Sequence, residues 1–276
     1  MPRVRQLYRC PLRWLACVSL LWGSFGLASS ELPLRLITVD EAPANFVVNG
    51  QLQGYATDIV HAIQQQLGDN TSIEVLPEDQ ALHVADTRPN VLLFSFSRTH
   101  AREHQYIWLL PVLRKKWQLF MPMQRQGNEA SRIRSETDFA SLARLGVVRG
   151  DVREAYLKNL GLTNLVAASS PQQMLTLLQQ QQLDAIVSSQ MEIDMLWNQV
   201  EFSGVKPAAR LSFGHSDAYL LFSKHTDPAL VAKWQKALSQ LRQQGVLRKI
   251  AMRWQDKLTQ YSGQTPRLLP GDWLEY

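Results

Sequence analysis

Cysteine is nearly absent from this chain. Its 276 residues include two, Cys10 and Cys17, both within the first thirty. Residues 31–276 therefore carry no disulfide and no thiolate chemistry. Long apolar runs are equally scarce. Nothing after residue 30 approaches the roughly eighteen consecutive apolar residues of a membrane-spanning helix, so a soluble mature protein is expected. There is no Gly-rich phosphate loop, no HExxH and no G-x-S-x-G elbow, which argues against nucleotide hydrolysis, zinc proteolysis and α/β-hydrolase chemistry. The positive charge is also local. Without Arg3, Arg5, Arg9 and Arg13, and with no acidic residue lost, the formal net charge falls from +5 to +1. That leaves no argument for nucleic acid as a partner.

Those four arginines precede "WLACVSLLWGSFGLASS", a short apolar stretch ending in small residues. The pattern is that of a secretory signal peptide over residues 1–30, with cleavage after Ala28 or Ser30. A membrane anchor is the alternative, but Ser19, Gly23, Ser24 and Gly26 weaken the stretch as a span. Lipid attachment at Cys17 is disfavoured because the apolar segment mostly follows that cysteine.

The remainder alternates strand and helix patterns. "LPLRLITV" (32–39) reads as a first strand, followed by a loop with Pro43, Asn49, Gly50 and Gly54. "TDIVHAIQQQLG" puts Ile59, Val60, Ile63 and Leu67 on one helical face, with Thr57 or Asp58 as cap and Gly68 as stop. "TSIEVLP" and "NVLLFSF" are further strands, the latter apolar on both faces like a covered parallel strand. "PVLRKKWQLFMPM" is an extended segment leaving the first unit, and the polar "QRQGNEASRIRSETD" follows it. A second cycle has the strand in "RLGVVRGD", a helix at 152–160, the strand "NLVAAS", a helix capped by Ser170 with Pro171 in its first turn, and the strand "LDAIVSS". "YLLFSK" and two amphipathic helices separated by Gly245 close the pattern. The tail from 257 to 276 shows no period and is expected to wrap the surface or stay loose. Such alternation indicates an α/β layered sheet.

Few residues announce chemistry. The six histidines are scattered; His100 and His104 share a helical spacing, but Arg98 and Arg102 beside them would repel a metal ion. The two arginines follow a buried strand directly. If a helix begins near Thr99, its unpaired N–H groups and Arg102 would together favour an anion. Arg102 paired with Glu103 or Asp86 at the surface is the alternative reading.

"SFSRTHAREHQYIW" (95–108) resembles the "T-x-T-x-x-R…(Y/F)-x-F" segment of solute-binding family 3, the extracytoplasmic amino-acid-binding proteins of ABC importers. Four further pieces occur in the same order. "LRLITVDEAPANFVVNGQLQGYATDIVHAI" is similar to the family's opening strand, loop and first helix. "LGVVRGDVREAYL" is similar to its second-lobe strand-to-helix turn. "LLQQQQLDAIVSS" resembles the "L-x-x-G-x-(V/L)-D-A-(V/I)-x-x-D" segment, and the run from Tyr219 to Trp254 its closing strand and paired helices. The likeness covers about 31–256.

The resemblance implies a periplasmic binding protein-like type II fold, with two α/β lobes joined by two hinge strands. Lobe 1 would be 31–112 plus 219–256, lobe 2 would be 113–218, and 257–276 a tail; the hinges fall near 112–118 and 213–219. It implies a monomer in the periplasm that uses no cofactor. A small anionic or zwitterionic solute would be captured between the lobes for an ABC permease. Carried over residue by residue, Arg102 takes the α-carboxylate, with Ser95, Ser97 and Thr99 around it, Asp40 as a polar contact and Phe46 as an aromatic wall. In lobe 2, Gly150 and Asp151 form the turn that offers N–H groups. The sequence departs from the pattern at Ser189, where an aspartate for the ligand ammonium is usual, and at Asp151, where Thr or Ser is usual. Either Asp151 or Asp40 supplies the missing amine partner, or the ligand is not an ordinary α-amino acid. Arg98 and Arg149, extra to the pattern, suggest added negative charge on the ligand, or else line the cleft rim. An enzyme of the cyclohexadienyl or arogenate dehydratase kind is a rival on this fold and would need a carboxyl general acid, for which Glu41 and Asp151 are candidates. A partner of a membrane sensor is another rival.

Overall fold

The structure, a computed structural model, describes residues 32–123, 132–199 and 204–276. The segment expected as a signal peptide, both cysteines and most of the polar stretch after 123 lie outside the described residues. Among the described residues no helix is long and apolar enough to cross a membrane.

The sequence "RLIT" forms β1 (Arg35–Thr38). It pairs in parallel with β4 (Ile73–Val75) on one side and β5 (Val91–Ser97) on the other. All seven residues of β5 are buried, as the apolar pattern on both faces requires. Between β1 and β4 lie the hairpin β2 (Phe46–Val48) and β3 (Gln51–Gln53) and helix α1 (Tyr55–Leu67). Gly68 ends α1 in the left-handed conformation at φ 64°, as the stop signal predicts. The start differs from expectation. The N-cap is Gly54, not Thr57 or Asp58, because a Cβ at 54 would sit 2.1 Å from the Ala44 carbonyl oxygen. Thr57 instead donates its hydroxyl to Asn45, and Asp58 accepts from Trp254. A second helix, α2 (Glu78–Thr87), was not legible; only Ala81 and Ala85 are buried in it, with Leu82 and Val84 partly covered.

Two sixteen-residue strands, β6 (Tyr106–Met121) and β10 (Ala208–Ser223), run antiparallel along their whole length. One end of β10 pairs with β5, and the far end of β6 pairs with β9 (Ala185–Ser188). Strands β7 (Leu145–Val148), β8 (Leu165–Ala168) and β9 then form a second parallel set. The sheet order is β4-β1-β5-β10-β6-β9-β7-β8, so two parallel sets are joined by one long antiparallel pair. Its register shifts between Ser212 and Gly214 and between Ala218 and Tyr219, within the stretch expected as a hinge; such bulges bend and twist a ribbon.

Helices cover both faces. α6 (Pro228–Gln243) and α7 (Val246–Ser262) pack with α1 over the first half, burying Trp234, Ile59 and Trp254 in one core. In the second half, α3 (Val152–Asn159), α4 (Pro171–Gln179) and α5 (Gln190–Gln199) flank the strands. Ser170 caps α4 with Pro171 in its first turn, as read from sequence. The tail is neither loose nor a surface wrap. It forms β11 (Arg267–Leu269) and β12 (Trp273–Glu275), and β12 adds to β6 in parallel. Leu274 is fully buried there, an anchor that a non-periodic segment does not advertise. Residues 32–276 form one compact unit.

Candidate functional site

The parallel strands of both halves point their carboxyl ends at one crevice, where open α/β sheets bind ligands. From the first half come Val39–Glu41 after β1, Ser97–Arg102 after β5 and Glu78 at the start of α2. From the second come Arg149–Arg153 after β7, Ser169 and Ser170 after β8, and Ser188–Glu192 after β9. A cavity of about 210 Å³ lies between them, bounded by Asp40, Glu41 and Glu78 on one side and Asp151, Arg153 and Ser170 on the other.

Beside it is a buried cluster of ions. Arg153, 3% exposed, donates through Nε and Nη2 to Asp151 at 2.9 and 2.5 Å. It also donates through Nη1 to Glu192 at 3.1 Å and through Nη2 to Glu41 at 3.3 Å. Lys115, from the middle of β6, donates to the second oxygen of Glu41 at 2.5 Å, and Ser188 donates to Glu192. Five ionisable side chains thus meet, all of them buried. Burial opposes ionisation of Asp151, yet the Arg153 guanidinium bonded to it wins and holds its carboxyl at about 2. Burial pushes Glu41 up, with Lys115 opposing. Glu78, across the cavity, is pushed up to about 8 by burial and by the negative charge of Asp151, against the pull of Arg102.

Each residue singled out in the sequence has a definite place. Arg102 is the last residue of the short 3-10 turn His100–Arg102, capped by Thr99, whose hydroxyl accepts from the Arg102 N–H. Its guanidinium reaches across the crevice to the Gly150 carbonyl at 3.3 Å, touches the Ser97 carbonyl at 3.4 Å and lies 3.5 Å from Glu78. Ser95 sits at φ 73° with its buried hydroxyl unpartnered. Arg98 turns away, gripping Glu103 with two bonds and lying over the Trp108 and Tyr219 rings. Arg149 is exposed. The Gly150 N–H, expected to be offered to a ligand, is taken by the Glu154 carboxylate at 2.7 Å. Asp151 turns to a cation, but to Arg153 of its own chain. Ser189 is buried and accepts from the Glu192 N–H, capping α5. Asp40 is exposed at the cavity rim. Phe46 packs edge-on against Trp254 in the core and borders a neighbouring space of about 400 Å³.

Sequence reasoning missed Lys115, Glu78, Arg153 and Glu192. Lys115 did leave a trace: it shares the period-two register of Leu113, Trp117, Leu119 and Met121, all buried. A lone cation on an inward face needs a buried partner. Ser189–Glu192 also has the S-x-x-E spacing of a capping box, although the Glu192 side chain goes to Arg153 instead.

No protein-family model matches the chain, and no curated protein matches it. Solved structures do. A histidine kinase sensor domain with similarity to periplasmic binding proteins superposes with a TM-score of 0.69 at 17% identity, covering 80% of this chain and 95% of that one. An ancestral arginine-binding protein bound to arginine gives 0.68 at 19% identity, covering 80% and 97%. The arginine-, lysine-, histidine-binding protein ArtJ from Geobacillus stearothermophilus gives 0.66 at 15% identity, covering 86% and 98%. At these identities the likeness shows the fold, which is periplasmic binding protein-like.

Proposed function

We propose that this chain is an extracytoplasmic solute-binding protein that holds a small amino-acid-like zwitterion between its two halves. The observation that carries the reading is the cavity bounded by residues of both halves, because only a closed cleft lets one ligand touch both. Its lining sets the charge. Asp40, Glu41 and Asp151 face a single lining cation, Arg153, with Glu78 protonated beside them, which favours a ligand with a positively charged nitrogen over a dicarboxylate. Arg98 and Arg149 add no positive charge to this cavity. Arg102 is the group available to a ligand carboxylate, in exchange for its weak contacts to Glu78 and Gly150. The halves, 31–112 with 219–256 and 113–218, swing about the β6–β10 ribbon. The exported protein serves an ABC permease or a membrane sensor in the periplasm.

A thermal-shift and calorimetric screen of amino acids, dicarboxylates and aromatic acids tests this. A ligand at a hundredfold over its Kd adds about 2.7 kcal/mol, a rise of roughly 5 to 10 °C at this size. The rise is expected with compact neutral amino acids and lost in Arg102→Ala. No response to any amino acid would refute the reading. A second reading rests on Glu78, a carboxyl still protonated near neutral pH at a cavity and so suited to a general acid. Turnover of prephenate or arogenate that Glu78→Gln abolishes would select it.

A further inference from the structure

We propose that Arg153 is a built-in occupant of the cleft: its guanidinium fills a cation subsite made by Glu41, Asp151 and Glu192, and thereby sets which solutes the remaining cavity accepts. The geometry is that of a captured ligand. Asp151 grips one edge of the fork through Nε and Nη2, Glu192 takes Nη1, and Glu41 takes Nη2 from the opposite half. All four residues are at least nine-tenths buried. A fixed fork held by three carboxylates is selective for a guanidinium over an ammonium. The side chain spans the crevice in doing this. Arg153 and Asp151 belong to the second half, whereas Glu41 follows β1 in the first, so the bond that seats the guanidinium also joins the halves. Lys115 neutralises the remaining oxygen of Glu41 from the β6 strand between them.

Two consequences follow. The closed arrangement forms without a small molecule, because the chain supplies the bridging cation itself. A solute whose own guanidinium or long ammonium arm needs this subsite is excluded, which leaves the adjoining cavity to compact zwitterions. The inference deepens the solute-binding reading and rests on the crevice being a closing cleft.

Arg153→Ala vacates the subsite and leaves three buried carboxylates facing Lys115 alone. The probes are ethylguanidinium, with ethylammonium and sodium chloride as controls, read by melting temperature and by the radius of gyration from solution scattering. The wild type is expected to be closed without additive and indifferent to ethylguanidinium. The variant is expected to melt lower by about 5 °C or more, to scatter as a more open particle, and to recover over half of both losses with about 10 mM ethylguanidinium but not ethylammonium. A variant that melts and scatters like the wild type, or one that ethylguanidinium does not restore, overturns the proposal. If Arg153→Ala does not fold, Glu41→Leu removes the acceptor on the far half, together with the partner of Lys115. An open particle is then expected, and an unchanged scattering curve overturns the proposal. A wild type that binds no amino acid, paired with a variant rescued by ethylguanidinium, would sink the solute-binding reading and leave this one standing.

Discussion

Replacing Lys115 with methionine tests whether the buried ions act as one unit. Lys115 is 5% exposed and Glu41 7%, and their bond of 2.5 Å is the only side-chain hydrogen bond of the ammonium among the described residues. With Lys115 present, Glu41, Asp151 and Glu192 face two cations. Lys115→Met leaves the same three carboxylates with Arg153 alone. Removing one partner of a buried pair costs about 3 to 5 kcal/mol, because the other charge stays buried and uncompensated. For a chain of this size each kcal/mol moves Tm by about 2 to 4 °C, so a fall of roughly 6 to 20 °C is expected by circular dichroism. Methionine fills the same inward register, so little of that loss comes from packing. The decisive measurement is the double variant Lys115→Met with Glu41→Gln, which restores the original charge imbalance with one fewer buried pair. It is expected to be more stable than the sum of the single losses predicts, with a coupling of about 1 to 3 kcal/mol. A single variant within about 2 °C of the wild type, or strict additivity in the cycle, would refute the account of the cluster as a mutually dependent set.

Titration offers two checks of opposite sign. Asp151 is held at about 2, below its ordinary 3.8, so the stability it contributes is present above pH 4 and lost as pH falls toward 2; Asp151→Asn should flatten the acid limb of a Tm-against-pH curve. Glu78, at about 8 against an ordinary 4.5, stays protonated in the folded state across that window, so its contribution is lost as pH rises from 4.5 through 8. Glu78→Gln should match the wild type near pH 4 and exceed its Tm at pH 9, and an equal offset at both would count against the assignment. Gly54→Ala forces a Cβ to 2.1 Å from a backbone oxygen at φ 138° and is expected to cost more than about 3 kcal/mol in urea unfolding. Leu274→Asp buries an unpaired carboxylate where β12 joins β6, and should release the tail to limited proteolysis.

Much of the scaffold was legible because its signals are local. β5 announces a covered strand by being apolar on both faces, α1 announces its end with Gly68, and Ser170-Pro171 announces the start of α4. Each depends on a few consecutive residues and the period they impose. α2 escaped because its four apolar residues are bunched in 81–85, with only the two alanines buried, too short a run to register as a period. The tail escaped because β12 exists only as an addition to the edge of β6, and an isolated three-residue strand has no stability to encode.

The sequence by itself determined an α/β chain with an extended segment leaving its first unit. It also placed Arg102 and Asp151 at strand ends, where a crevice would form. What those charges face was decided only by the tertiary structure. Residues 41, 115, 151, 153 and 192 come from both halves and the ribbon between them. Charge pairing depends on distance in space, with no period along the chain to betray it. Asp151 was open to a ligand amine on sequence grounds, and only folding put Arg153, Glu192 and Glu41 around one guanidinium and filled that place from within.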